Sequence, residues 1–226
     1  MRVGVVNFPG TLDNRDVIRA LNIAELTPVE IWHQERNLEK IDALILPGGK
    51  SYGDYLRPGA LAKTAPIMAA VIEKAKSGLP ILGIGNGFQI LLEAGLLAGG
   101  LAINHNQQFI RRDAEVIVAN NNTAWTSRFD RDESIVLPTR NTHGAFTAEA
   151  KTLERIEAEG LVALRYENPI GKQSDIAGVS NAKGNVVGLM PHPEFAVEPG
   201  FGPDTKDRMR SGVDGLRFFT SLLLNN

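Results

Sequence analysis

Short, nearly continuous apolar runs alternate with amphipathic stretches through the first hundred residues. Residues 2–8 form the first run, closed by Pro9-Gly10. Helical spacing follows at Val17, Ile18, Leu21 and Ala24, with Asp13 or Asn14 placed to cap it. Residues 29–32, behind Pro28, and residues 41–46, ahead of Pro47-Gly48-Gly49, read as the second and third strands. A helix is expected over residues 61–75, with Ile67, Met68, Val71, Ile72 and Ala75 on one stripe. A fourth strand over residues 80–84 runs straight into a glycine-spaced turn, Gly83-Ile84-Gly85-Asn86-Gly87, and a further apolar helical pattern. Apolar strands alternating with amphipathic helices predict βα units on a parallel sheet covered on both faces.

The second half is patterned differently. Residues 115–119, 134–137, 162–166, 176–179 and 186–190 are short and partly alternating, which predicts strands in a mixed or antiparallel arrangement. A short helix is expected over residues 151–158 and an apolar-rich one over residues 212–224. The segment Asn120-Asn121-Asn122-Thr123-Ala124-Trp125-Thr126 reads as too polar for core, with its Trp turned to a partner. There is no repeat or linker, so the expectation is a single α/β domain over residues 1–226.

Composition narrows the function classes. A formal net charge of -2 over 226 residues gives no electrostatic footprint for nucleic acid or an anionic membrane. No apolar run is long enough to span a bilayer, and the first strand begins too early for a secretory leader, so a cytoplasmic protein is expected. The chain has no cysteine, which excludes disulfides, thiolate metal sites and a cysteine nucleophile. His33, His105 and His143 lack metal-ligand spacing with one another, and no metal is assigned.

Three stretches carry candidate chemistry. In the first, a strand feeds a sharp turn into a helix, the grammar of a nucleophile elbow, with Asn86 N–H aimed at an oxyanion beside the apex. The apex is Gly85, which has no side chain to attack with. In the second, Met190-Pro191-His192-Pro193-Glu194, the proline after His192 favours an extended backbone. Residues two apart then share a side, so Glu194 can orient the His192 imidazole. In the third, Pro47-Gly48-Gly49-Lys50-Ser51, paired glycines let a backbone N–H face a small anionic centre. Taken singly, each stretch also fits an ordinary turn.

Together, in this order, they resemble the class I (triad) glutamine amidotransferase family, over essentially the whole chain. Within it they look like the glutaminase subunits of phosphoribosylformylglycinamidine synthase, a purine-pathway enzyme. The resemblance is carried by Pro47-Gly48-Gly49 with Ser51-Tyr52-Gly53-Asp54-Tyr55-Leu56-Arg57, Asn86-Gly87-Phe88-Gln89-Ile90-Leu91, Asp175-Ile176-Ala177-Gly178, residues 190–194 and Asp214-Gly215-Leu216. It implies a flavodoxin-like, mostly parallel open sheet with helices on both faces and extra strands in the C-terminal half. It implies a cysteine that attacks the side-chain amide of L-glutamine, with ammonia passed to a synthetase subunit and a small accessory subunit as a further partner. ATP and Mg would belong to the synthetase, and this chain would carry no cofactor. Carried over, His192 is general base and acid, Glu194 its orienter, the amides of Gly49 and Asn86 the oxyanion hole, and Gln89 a substrate contact. The nucleophile falls on Gly85.

The departures from the family gather near the chemistry. Lys50 stands where an aromatic residue is usual, and His143-Gly144-Ala145-Phe146 replaces His-Gly-Glu-Gly beside the pocket or partner surface. Pro58 and Ser180 occupy positions that often hold cysteine. Ser51 and Thr142 are hydroxyls but do not lie at the apex. Two readings follow: a glutaminase subunit with an altered nucleophile, or a non-catalytic module of the same fold that binds glutamine or the synthetase. In both, Gly85 should keep the turn and adopt a positive φ.

Overall fold

The computed structural model describes residues 1–169, 174–199 and 212–224. Its strands are β1 (Arg2–Asn7), β2 (Thr27–Trp32), β3 (Ala43–Leu46), β4 (Ile81–Ile84), β5 (Gly100–Ala102), β6 (Ile110–Val118), β7 (Ser134–Asn141), β8 (Ala145–Thr147), β9 (Val162–Tyr166), β10 (Ile176–Ser180) and β11 (Val186–Leu189). The helices are α1 (Asn14–Ile23), α2 (Ile67–Lys76), α3 (Asn86–Glu93), α4 (Ala150–Ala158) and α5 (Leu216–Thr220). One nine-stranded sheet runs in the order β2-β1-β3-β4-β11-β10-β9-β6-β7. Its first five strands are parallel neighbours, and its last four pair antiparallel.

All four residues of β3, β4 and β11 are buried, as are Val3, Gly4, Val5 and Val6 of β1. Successive strand residues face opposite sides, so a fully buried run means that both faces of the sheet are covered. The expected α/β architecture is therefore present. The antiparallel strands continue the same sheet, and β6 and β7 extend well beyond the short runs expected at residues 115–119 and 134–137.

Several boundaries differ for identifiable reasons. Edge strand β2 includes Pro28, which pairs with Val3, because an edge strand tolerates a missing N–H. Helix α2 starts at Ile67 rather than near residue 61. Pro66 holds Ala65 extended (φ -62°, ψ 146°), leaving only a 3-10 turn at Ala62–Thr64. The last helix starts at Leu216 rather than residue 212, and ends in a 3-10 turn over Ser221–Leu224. The β5–β8 pair was not expected, since three-residue strands leave no periodic signal. Asp13, expected to cap α1, makes no side-chain cap bond.

Within the polar segment at residues 120–126, Thr123, Trp125 and Thr126 lie inward, contrary to the sequence reading. Thr123 and Thr126 share a hydroxyl–hydroxyl bond of 2.7 Å, and the Thr123 hydroxyl accepts from the Trp125 N–H at 3.2 Å. With those polar groups satisfied locally, Trp125 sits fully buried in the core. Its indole Nε1 has no hydrogen-bond partner, so the ring contributes by packing alone. Trp125→Ala should lower unfolding stability in urea by about 3–5 kcal/mol, and Trp125→Phe by well under half of that. A loss below about 1 kcal/mol in the alanine variant would remove Trp125 from the core.

Candidate active site

Strand β1 has β2 on one side and β3 on the other, so the chain reverses direction of winding between β1 and β3. Open α/β sheets bind ligands beyond the carboxyl ends of strands at such a point. There the loops after β1 and β3 are tied by an antiparallel bridge between Thr11 and Gly49. Lys50 N–H donates to the Gly10 carbonyl at 2.9 Å, and the N–H groups of Leu12 and Asp13 both donate to the Gly48 carbonyl at 3.1 and 3.2 Å. The Gly48–Gly49 peptide is trans, so a carbonyl fixed on one side sends the following N–H to the other. The Gly49 N–H is thereby turned away from the β1 loop and stays outside the bridge.

Next to it, β4 runs into α3 through Gly85, which adopts φ 54°, ψ -108°. The expected positive φ is present, in a region that any side-chain-bearing residue adopts only with strain. Helix α3 approaches the sheet so closely that a Cβ on Gly87 would lie 1.8 Å from the Leu46 carbonyl oxygen. Asn86 is the first residue of α3, where helix amides lack an intrahelical acceptor and the helix dipole is positive.

From the far side, β11 delivers His192. Its N–H donates to the Pro138 carbonyl at 2.7 Å, and its backbone (φ -109°, ψ 88°) stays on the extended side, as Pro193 demands. The segment then turns as a 3-10 helix over Pro193–Phe195, so the extended i, i+2 argument does not describe Glu194. The pairing it predicted is nonetheless present: His192 Nδ1 lies 2.8 Å from Glu194 Oε1. Both are buried, and burial is the largest influence on the Glu194 carboxyl, pushing its pKa upward. An ideal Cβ on Gly85 would lie 3.0 Å from His192 Nε2 and 2.9 Å from Cε1. A side chain at residue 85 would therefore point straight onto the imidazole, the relation of a nucleophile to its base.

Beside this centre, Asn86 and Gln89 join one hydrogen-bonded set. Ser51 N–H donates to Asn86 Oδ1 at 2.9 Å, and Asn86 Nδ2 donates to Gln89 Oε1 at 2.9 Å and to Asp54 Oδ1 at 3.2 Å. Gln89 Nε2 donates to the His143 carbonyl at 3.0 Å. The Gln89 amide thus bridges α3 to the loop before β8 while its side chain stays almost buried. Burial raises the Asp54 pKa against the lowering pull of Lys50 and His143. Tyr52, Asp54 and Leu56 all take positive φ in this loop, a concentration of backbone strain that marks functional loops. Ala145 and Phe146 belong instead to the interior. Phe146 stacks on Phe88 with centroids 6.4 Å apart, whereas His143 meets Gln89 through its carbonyl.

One residue at the centre has no signal in the sequence. Asp13, at the start of α1, places Oδ2 3.7 Å from His192 Nδ1, and Arg140 of β7 grips its other oxygen. Asp13 and His192 are remote in sequence, and their meeting depends on the order of strands in the sheet. Asp13, His192 and Glu194 each offer a ligand-type atom, all within 4.8 Å of one another.

Residues 1–223 match the family described as the CobB/CobQ-like glutamine amidotransferase domain, and the chain belongs to that family. Its relatives narrow the comparison. It is 56% identical over 225 residues to phosphoribosylformylglycinamidine synthase subunit PurQ of Leifsonia xyli subsp. xyli, covering 99% of this chain and 97% of that one. It is 52% identical to the subunit of the same name from Streptomyces coelicolor, covering 98% and 96%. The solved structure of PurLQS from Thermotoga maritima superposes with a TM-score of 0.86 at 39% identity, covering 99% of this chain and 98% of that one.

The backbone at residue 85 yields a stability expectation. Gly85→Ala should destabilise the chain by about 1–3 kcal/mol in denaturant titration, through positive-φ strain and the contact with His192. An unchanged midpoint would show that the turn relaxes freely and that the apex is not strained.

Proposed function

We propose that this chain is the glutaminase-type subunit of a phosphoribosylformylglycinamidine synthase, with the site of the attacking group occupied by Gly85. The observation that carries the reading is the line from the residue 85 Cβ position to His192 Nε2, with Glu194 behind the imidazole. In a family member with cysteine at this apex, His192 takes the thiol proton and the thiolate adds to the glutamine carboxamide carbon. The oxyanion is met by the amides of Gly49 and Asn86. Collapse expels ammonia, protonated by His192, and leaves a γ-glutamyl thioester that water hydrolyses to glutamate. This chain supplies base, orienter and oxyanion donors but not the sulfur. Gln89 shapes the substrate pocket through Asn86 and the His143 carbonyl.

The ammonia would pass to a synthetase subunit holding ATP and Mg, with a small accessory subunit as a further partner, in the cytoplasm. This chain would need no cofactor of its own. Among the described residues, no helix is long and apolar enough to cross a membrane.

One observation favours the second reading, a non-catalytic module that binds glutamine or the synthetase. The Cβ position of residue 85 is closer to His192 than ordinary packing allows, so the imidazole has settled against glycine. The unmodified chain, assayed with its synthetase, should release glutamate at background rate. Gly85→Cys should raise release by about 10³-fold or more, since loss of a triad nucleophile costs at least that much. Continued silence of Gly85→Cys, with glutamine still bound in calorimetry, would favour the non-catalytic module.

A further inference from the structure

The unusual feature of the centre is its second buried carboxylate. Asp13 and Glu194 approach the same nitrogen of His192, at 3.7 and 2.8 Å. Each has one oxygen without a hydrogen-bond partner, Asp13 Oδ2 and Glu194 Oε2, and both side chains are at most 3% exposed. Buried carboxylate oxygens left without a donor cost free energy, and a cation placed between them removes that cost. The positive charge nearby falls short of this. Arg140 holds only Asp13 Oδ1. Arg19 meets Glu194 at its backbone carbonyl, at 3.4 Å, and spends its other arm on Glu198.

We propose that Asp13, His192 and Glu194 form a binding site for a divalent transition-metal cation of the zinc class, seated on the Nδ1 side of His192. One nitrogen and two carboxylate oxygens are a donor set that zinc accepts, at about 2.0–2.2 Å from each atom. Ligand atoms held at that radius in a tetrahedral arrangement lie about 3.4 Å apart, between the 2.8 and 3.7 Å found here. All three ligand-type atoms lie within 4.8 Å of one another, so side-chain adjustment brings them onto one ion. Arg140, with its side chain 34% exposed, marks the solvent side of the centre and competes with the cation for Asp13. The site rests on this geometry and not on the glutaminase reading.

The test is calorimetric titration of zinc chloride into the full chain, in a non-chelating buffer near neutral pH. One site is expected, reversed by EDTA, together with a raised melting temperature. Asp13→Asn and Glu194→Gln should each weaken binding by about tenfold or more, the loss seen even for groups that only support a ligand. Arg140→Gln should tighten it by removing the competing charge, a gain that misfolding cannot imitate. A His105→Ala control should bind as the unmodified chain does. Absence of binding, affinity in both carboxamide variants unchanged from that of the unmodified chain, weaker binding in Arg140→Gln, or loss of the site in His105→Ala each overturns the proposal.

Discussion

The centre depends on a single carbonyl. Gly48 C=O is held by two successive amides from the loop after β1, and with the Lys50–Gly10 bond this contact ties together the loops of the two strands between which the winding reverses. It fixes the rotation of the Gly48–Gly49 peptide plane, and with it the direction of the Gly49 N–H. The same loop starts α1 and carries Asp13 onto His192. Each bond contributes only about 0.5–1.5 kcal/mol net, but together they orient the Gly49 N–H and Asp13, which no local sequence pattern links. The close packing of α3 against β3 at Gly87 then places Asn86 and Gly85 opposite that peptide. The active-site geometry is thus a product of sheet order and of two close backbone approaches.

Strands β1, β3 and β4 were legible because they are buried on both faces and so read as uninterrupted apolar runs. The antiparallel half was legible in placement but not in extent. In β6, Arg111 and Arg112 face solvent, which shortens the apparent strand although the backbone ladder continues to Ile110. Trp125 was misplaced for a related reason: the asparagines and threonines around it signal surface, yet their polar atoms bond to one another and to backbone. Within the centre, His192 and Glu194 were readable from their spacing, though by a different backbone path from the one first inferred. Asp13 was not readable. Its role follows from tertiary contacts with His192 and Arg140, and its position before a helix suggested only a cap.

Electrostatically, the centre has more buried negative charge than a His–Glu pair alone would supply. Glu194 is driven toward protonation by burial, and the neighbouring Asp13 adds to that effect while His192 opposes it. Arg140 stacks its guanidinium 4.6 Å from the Phe195 ring centroid while holding Asp13, so β7, α1 and the segment after β11 meet at one cation. An arrangement of this kind resists loss of any one member, because each removal leaves an uncompensated partner in a dry environment.

The positive φ at residue 85 has a consequence for the history such a chain can follow. Any side chain at the apex carries backbone strain that glycine releases, so selection for stability alone pulls against the group that performs the chemistry. Once glycine is fixed, the imidazole can relax toward it, and the route back becomes steeper than the route out. A fold that positions its reagent on a strained turn therefore carries a built-in ratchet toward silence, held off only while the product of the reaction is needed.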